Sequence, residues 1–167
     1  DELLFLSRAD MGEVKMDRLP VSLDTLLEDL HRQASLLGHE REIQVVLQST
    51  APAVVLGDEL RLRELFLNLL DNAVKYSHSG GTVDVALTIE HTQARVSVTD
   101  HGFGIAQEDQ SRIFDRFYRT DNARTHTKKG TGLGLAICAW IVESHNGKLK
   151  VQSKFGEGST FTVILPL

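Results

Sequence analysis

Apolar and polar positions along this chain alternate at two spacings, and the changes between them mark the elements. Residues 1–9 carry Leu3, Leu4, Phe5 and Leu6, then polar residues and Gly12, which predicts a short helical tail and a break. "DRLPVSL" reads as an edge strand that tolerates Pro20. In "SLDTLLEDLHRQASLLG" the apolar positions Leu23, Leu26, Leu27, Leu30, Ala34 and Leu37 keep helical spacing, with Ser22 as N-cap and Gly38 as stop. "REIQVVLQS" and "AVVLGD" read as strands, followed by a leucine-rich helix from Asp58 to Tyr76. "GGTVDVALTIEHTQARVSVTD" alternates apolar and polar, a hairpin turning near His91 to Gln93. Residues 101–129 lose periodicity apart from one short helical candidate, "QEDQSRIFDRF". "GTGLGLAICAWIVESHNG" is a glycine-rich start to an apolar helix stopped by Asn146–Gly147. Two strands, "KLKVQSK" and "STFTVILPL", finish the chain. The late hairpins favour an α/β (α+β) two-layer sandwich, a mixed and mostly antiparallel sheet with helices on one face.

Composition changes this picture little. The 167 residues, 41% hydrophobic and 25% charged, suit one globular domain with a short attachment. A net charge of −5 argues against a nucleic-acid-binding domain. The single cysteine, Cys138, lies in an apolar run and reads as a buried thiol. No apolar run reaches the roughly 18 residues that would span a bilayer. The abrupt "DELLFLSRAD" start reads as the end of a helix cut from something longer.

Candidate chemistry lies where the patterning is interrupted. At about 100° per residue, Glu64, Asn68, Asn72 and Lys75 fall on one stripe beside a broad apolar arc. An amide oxygen suits Mg²⁺ and a lysine one turn on suits phosphate, but a solvated helix face fits the same stripe. "DHGFGI", from Asp100 to Ile105, places a carboxylate at a strand end, able to accept from an amino group such as adenine's; a plain turn fits too. "GTGLGLAI", from Gly130 to Ile137, opens a helix whose free N–H groups attract anions. It is not the dinucleotide fingerprint, because Leu135 stands at the required third glycine. Between these glycine motifs lie Arg112, Arg116, Arg119, Arg124, Lys128 and Lys129, a cationic run suited to a lid over a triphosphate or to a solvated loop. His39 in "HERE" has no partner at metal spacing and reads as a surface residue. His31, His78, His91, His126 and His145 carry no chemical context either, and His101 sits inside a glycine motif.

In order and spacing, "NLLDNAVKYS", "DHGFGI", "IFDRFYR" and "GTGLGLAI" resemble the N, G1, F and G2 boxes of the sensor histidine kinases. Those kinases have the Bergerat ATP-binding fold, shared with DNA gyrase and the mismatch-repair ATPases. The resemblance covers roughly Arg18 to Leu167. Residues 1–17 resemble the end of the last helix of a dimerisation and phosphoacceptor domain plus linker, leaving 18–167 as the catalytic ATP-binding domain. The resemblance implies ATP and Mg²⁺ as cofactors, a mobile ATP lid, and transfer of the γ-phosphoryl group to a histidine on the upstream domain, for relay to a response regulator.

Roles follow position by position from the same resemblance. Asn72 would hold Mg²⁺ and Asn68 support that shell. Lys75 and Tyr76 would contact phosphate and nucleotide. Asp100 would bind the adenine amino group, with Gly102, Gly104 and Ile105 against the base. Phe114 and Phe117 would anchor the lid, and Arg116 or Arg119 would reach the γ-phosphate. Gly130, Thr131, Gly132, Leu133, Gly134 and Leu135 would cradle the phosphates, and Ser159 and Thr160 pass the base.

Many relatives carry asparagine where this chain has His101. "HEREIQ" lacks the H-E-x-x-[ST]-P-like context of a phosphoacceptor, so the acceptor is expected outside this chain. Autonomous ATPases and anti-sigma-type serine kinases of the superfamily carry a glutamate at the position of Asn68, and an amide cannot take that proton. A nucleotide-sensing module without turnover is the third reading. The chain is expected to be a monomer, to bind ATP without phosphorylating itself, and to belong to a homodimeric, cytoplasmically exposed membrane sensor.

Overall fold

A computed structural model describes residues 1–126 and 130–167. Helix α1 (Glu2–Asp10) is followed by β1 (Leu19–Ser22), α2 (Leu23–Glu40), β2 (Gln44–Ser49), β3 (Val54–Gly57) and α3 (Glu59–Lys75). Then come β4 (Thr82–Glu90), β5 (Gln93–Asp100), α4 (Gln107–Gln110), α5 (Asp121–His126), α6 (Gly134–Ser144), β6 (Lys148–Lys154) and β7 (Gly158–Pro166). The main sheet runs β2-β4-β5-β7-β6, and β1 pairs with β3 in a separate two-stranded ribbon. Only the β2–β4 pair is parallel in the main sheet. No helix among the described residues is long and apolar enough to cross a membrane.

Period-two patterning decides which sheet face is covered. Val85, Val98 and Phe161 pair across the central strands and are buried, as are Val83, Val96 and Val163 on the same face. Helix α3 turns Leu62, Leu65, Phe66, Leu69 and Leu70 into that layer, each contributing about 1.5–3 kcal/mol of burial. Helices α2 and α6 flank α3, and α1 packs on α6 through an edge-to-face pair of Phe5 and Trp140. The opposite sheet face is polar, with Thr99 Oγ1 and Thr160 Oγ1 2.9 Å apart.

Several local expectations shift. Ser22 occupies the N-cap of α2, but its hydroxyl donates to Asp24 rather than receiving a backbone N–H. Gly38 does not stop α2. It lies inside the helix, buried where Ile43 crosses over it, so its function is close packing. The helix expected over "QEDQSRIFDRF" is helical only in α4: beyond it Arg112 N bonds Asp109 O and Asp115 N bonds Arg112 O, both at 2.9 Å, as separate turns, and Phe117 then turns to φ 65° with its N–H on the Gly132 carbonyl at 2.9 Å. The following α5 was not anticipated, and Thr120 Oγ1 caps it by accepting from Ala123 N at 3.1 Å. Asn146 (φ 57°) ends α6 as expected, with Gly147 N bonded to Val142 O at 2.9 Å.

Candidate functional site

Several parts of the chain meet around a cavity of about 280 Å³. The last turn of α3 supplies Asn72, Lys75 and Tyr76, and the end of β5 supplies Asp100. The glycine turn after β5 adds Gly104 and Ile105, and the polar segment adds Tyr118 and Arg119. The glycine loop supplies Gly130, Thr131 and Gly132 and leads into Gly134 and Leu135 of α6, while Ser159 and Phe161 come from β7. Most of these residues were singled out in the sequence.

Asp100 is the buried anchor, 6% exposed, and accepts the Gly102 N–H at 3.0 Å. Burial pushes its carboxyl above the usual range, while the N–H donors of Gly102 and Ser159 pull the other way. Asp100 also lines the cavity, and a carboxylate has acceptor sites beyond those two N–H groups. Gly102 is needed for a reason other than the expected one: a Cβ there would overlap the Tyr76 carbonyl oxygen, so the turn closes against α3 and not against a base. Gly104 likewise faces the Lys154 carbonyl while lining the cavity.

No described group hydrogen-bonds the Asn72 amide, which lines the cavity. Lys75 Nζ pairs with Asp71 Oδ2 at 2.8 Å, one turn back on the same helix. Arg119 Nη2 donates to Ala123 O at 2.9 Å and the guanidinium lies beside Gly130. Helix α6 begins without a side-chain cap, so its first N–H groups are open to an anion. A Cβ at Gly132 would lie 2.7 Å from the Phe117 carbonyl carbon, so glycine lets the loop and the polar segment approach.

Some expected residues do not reach the cavity. Asn68, one turn behind Asn72, does not line it, and its amide acts on the Cys138 thiol of α6, which it pulls down against burial. That thiol is fully buried, bonds Leu65 O at 3.7 Å, and is pushed up to about 12 by desolvation, so it is inert. Arg116 forms a two-pronged pair with Asp10 of α1 at 2.7 and 2.8 Å and does not line the cavity. Phe117 is 56% exposed with its backbone in the left-handed region, and only its main chain serves the loop. Phe114 packs edge-to-face on Phe161 at 6.3 Å. Leu133 is buried in the core below the loop. Thr160 faces the opposite side of the sheet, bonded to Thr99; its neighbour Ser159 faces the cavity instead. Lys128 and Lys129 lie outside the described residues.

Glu2 of α1 also lines the cavity and accepts the Thr131 hydroxyl at 2.7 Å. Sequence reading missed it because α1 carries no motif, and its contact is 129 residues away.

A buried carboxylate for a base, an amide and cations for phosphates, and a glycine loop before an open helix end define a nucleotide-binding domain. Residues 57–167 match the family model of "Histidine kinase-, DNA gyrase B-, and HSP90-like ATPase". The chain belongs to this family, as an ATP-binding catalytic domain of the sensor histidine kinase type.

The sensor-like histidine kinase SenX3 of Mycobacterium tuberculosis (strain ATCC 25618 / H37Rv) is 38% identical over 165 residues, 99% of this chain and 40% of that protein. Full-length ShkA, solved in complex with AMPPNP, superposes with a TM-score of 0.87 at 30% identity, covering 99% of this chain and 34% of that one. The mycobacterial sensor histidine kinase MprB gives 0.77 at 31% identity, covering 90% of this chain and 97% of that one. The chain thus spans about 40% of the length of the curated relatives it matches.

Proposed function

We propose that this domain binds MgATP and passes the γ-phosphoryl group to a histidine on a separate domain of the same protein. The supporting observation is the convergence of Asp100, Asn72, Lys75, Arg119 and the α6 start on one cavity. Asp100 accepts from the adenine amino group. The open N–H groups at the α6 start and the cations Lys75 and Arg119 hold the phosphates. In the transfer, the bond from the γ-phosphorus to the bridging oxygen breaks, a bond to the imidazole nitrogen forms, ADP leaves, and the ring proton passes to solvent. Transfer of this kind needs positioning and charge neutralisation more than covalent help from the protein.

Asn72 fits a magnesium ligand: it presents a hard, neutral oxygen to the cavity with no partner among the described residues, and Mg²⁺ commonly takes one or two protein donors plus phosphate oxygens. Among the described residues no cluster of three or more His, Cys, Asp or Glu could hold the ion alone, which suits a metal that arrives with nucleotide. When bound it supplies neutralisation of phosphate charge.

Residues 1–17 are proposed as the end of the preceding domain's helix and its linker, and a receiver domain of a response regulator as the downstream acceptor. A homodimeric membrane sensor with this domain in the cytoplasm fits relatives named as sensor kinases. Position 68 separates this reading from an autonomous ATPase. Asparagine there can take no proton from water and does not line the cavity. The chain alone, incubated with MgATP, is therefore expected to release almost no phosphate over hours in a coupled assay. Robust hydrolysis that survives Asn68→Ala would favour the ATPase reading.

A further inference from the structure

His145 is the most buried polar side chain outside the cavity, 3% exposed, and nothing in the nucleotide site calls on it. Its two ring nitrogens have unambiguous partners. The Asp58 N–H can only donate, and it meets Nε2 at 3.0 Å. The Ile141 carbonyl can only accept, and it meets Nδ1 at 2.7 Å. The ring is therefore neutral, with its proton on Nδ1.

Around it lies a closed polar hub. The Asp58 carboxylate accepts the Arg61 N–H at 3.1 Å and the Asp17 N–H at 3.0 Å. The Arg18 guanidinium donates to the Ser144 carbonyl. The ring lies so close to Gly57 that a Cβ there would stand 2.7 Å from His145 Cδ2. Asp58 caps the start of α3, and His145 caps the end of α6.

The two helices are antiparallel neighbours, and two hydrogen bonds between them lie seven residues apart on each. Asp58 meets His145. Seven residues along α3, the Leu65 carbonyl accepts from Cys138, seven residues back along α6. Seven further, Asn72 and Thr131 both line the cavity. Along α3 each step is two helical turns, about 10.5 Å, whereas the second step along α6 runs out through the helix start at Gly134 into the glycine loop. A stiff helix anchored at one end transmits an axial slip to the other.

We propose that His145 is a positioning residue for the nucleotide site: from the far end of α3 and α6 it fixes the axial register between the Asn72–Lys75 turn and the glycine loop. This rests on the reading of the cavity as the MgATP site. The latch requires the neutral ring, because protonated Nε2 would face the Asp58 N–H donor to donor. The charged groups facing the ring are Arg18 from the segment before β1, which disfavours a second cation, and Asp58 from the start of α3, which favours one. Burial is the largest influence, and it holds the imidazole below its ordinary value. A histidine lowered in the fold contributes stability that is present above the ordinary value of about 6.5 and lost as pH falls through the folded value.

The test is MgATP affinity by calorimetry between pH 5 and 8 for the wild-type chain, His145→Gln and His145→Phe. Glutamine can place an acceptor near Nε2 without titrating, whereas phenylalanine fills the space and orphans the Asp58 N–H. The expected result at pH 7.5 is affinity within about threefold of wild type for His145→Gln and about tenfold weaker for His145→Phe, a loss within the usual range of coupling between distant sites. Towards pH 5 the wild type is expected to weaken relative to His145→Gln. The nucleotide's own phosphate titration is common to both and cancels. Superimposable wild-type and His145→Gln profiles would overturn the proposal, and that comparison stands even where His145→Phe fails to fold. Unchanged affinity in a folded His145→Phe would overturn it equally. Absence of MgATP binding by wild type at pH 7.5 is a different failure: it removes the nucleotide site itself, and the proposal with it.

Discussion

Asparagine in place of Asp100 is expected to weaken MgATP binding between about 10-fold and about 150-fold, the range for losing one hydrogen bond to a charged group. The carboxylate is buried and already accepts the Gly102 N–H, so an asparagine oxygen is drawn to that donor and its NH₂ is left facing the adenine amino group. Two donors then meet where a donor and an acceptor met. Stability should move the other way. Burial raises the Asp100 carboxyl, so its ionised form opposes folding above its ordinary value and the neutral amide removes that cost. Calorimetry and a thermal melt on the same sample check both halves. Weak binding with an unchanged or higher melting temperature is expected. Unaltered affinity would remove Asp100 from base recognition.

The second large effect is at Asn72. Alanine there is expected to abolish the gain in ATP affinity that Mg²⁺ gives the wild-type chain, while leaving metal-free binding in excess chelator nearly as it was. The amide lines the cavity without a described partner, so its removal breaks nothing in the fold. Lys75 and the α6 start still attract phosphate, which is why binding without metal should persist. A calorimetric MgATP affinity equal to wild type would contradict the metal assignment.

The contrast between what was legible and what was not has a physical pattern. Asn72 was visible as an amide in a leucine-rich helix, Lys75 by its place one turn on, and Asp100 and the glycine loop because they stand where regular periodicity stops. The hairpin turn at His91 (φ 55°) and the stop at Asn146 (φ 57°) were legible for the same local reason. Side-chain direction was not. Thr160 and Ser159 are adjacent on β7, and strand parity, fixed by pairing Asp100 with Ser159, sends one to the cavity and the other to the far face. Arg116 and Arg119 are three residues apart in a segment without periodicity, so only the contact of Arg116 with Asp10 of α1 separates them. Gly38 looked like a helix stop because glycine at a helix end and glycine under a crossing strand are one letter. His145 was passed over because its partner, the Asp58 N–H, is 87 residues away and is a backbone group with no signature in sequence.

Glu2 and Asp10 add a point that the motifs did not carry. Both lie on α1, one on the Thr131 hydroxyl and the other on the Arg116 guanidinium. The segment proposed as the tail of the preceding domain thus touches the glycine loop and the polar segment, both of which border the cavity.

Transfer itself is the most direct test. The chain is mixed with its separately produced phosphoacceptor domain and γ-labelled MgATP, and the label is followed on that second domain. The account predicts label there that is lost in acid, retained in base, and reduced with Asp100→Asn. A phosphoacceptor domain that stays unlabelled while the chain demonstrably holds MgATP would contradict it.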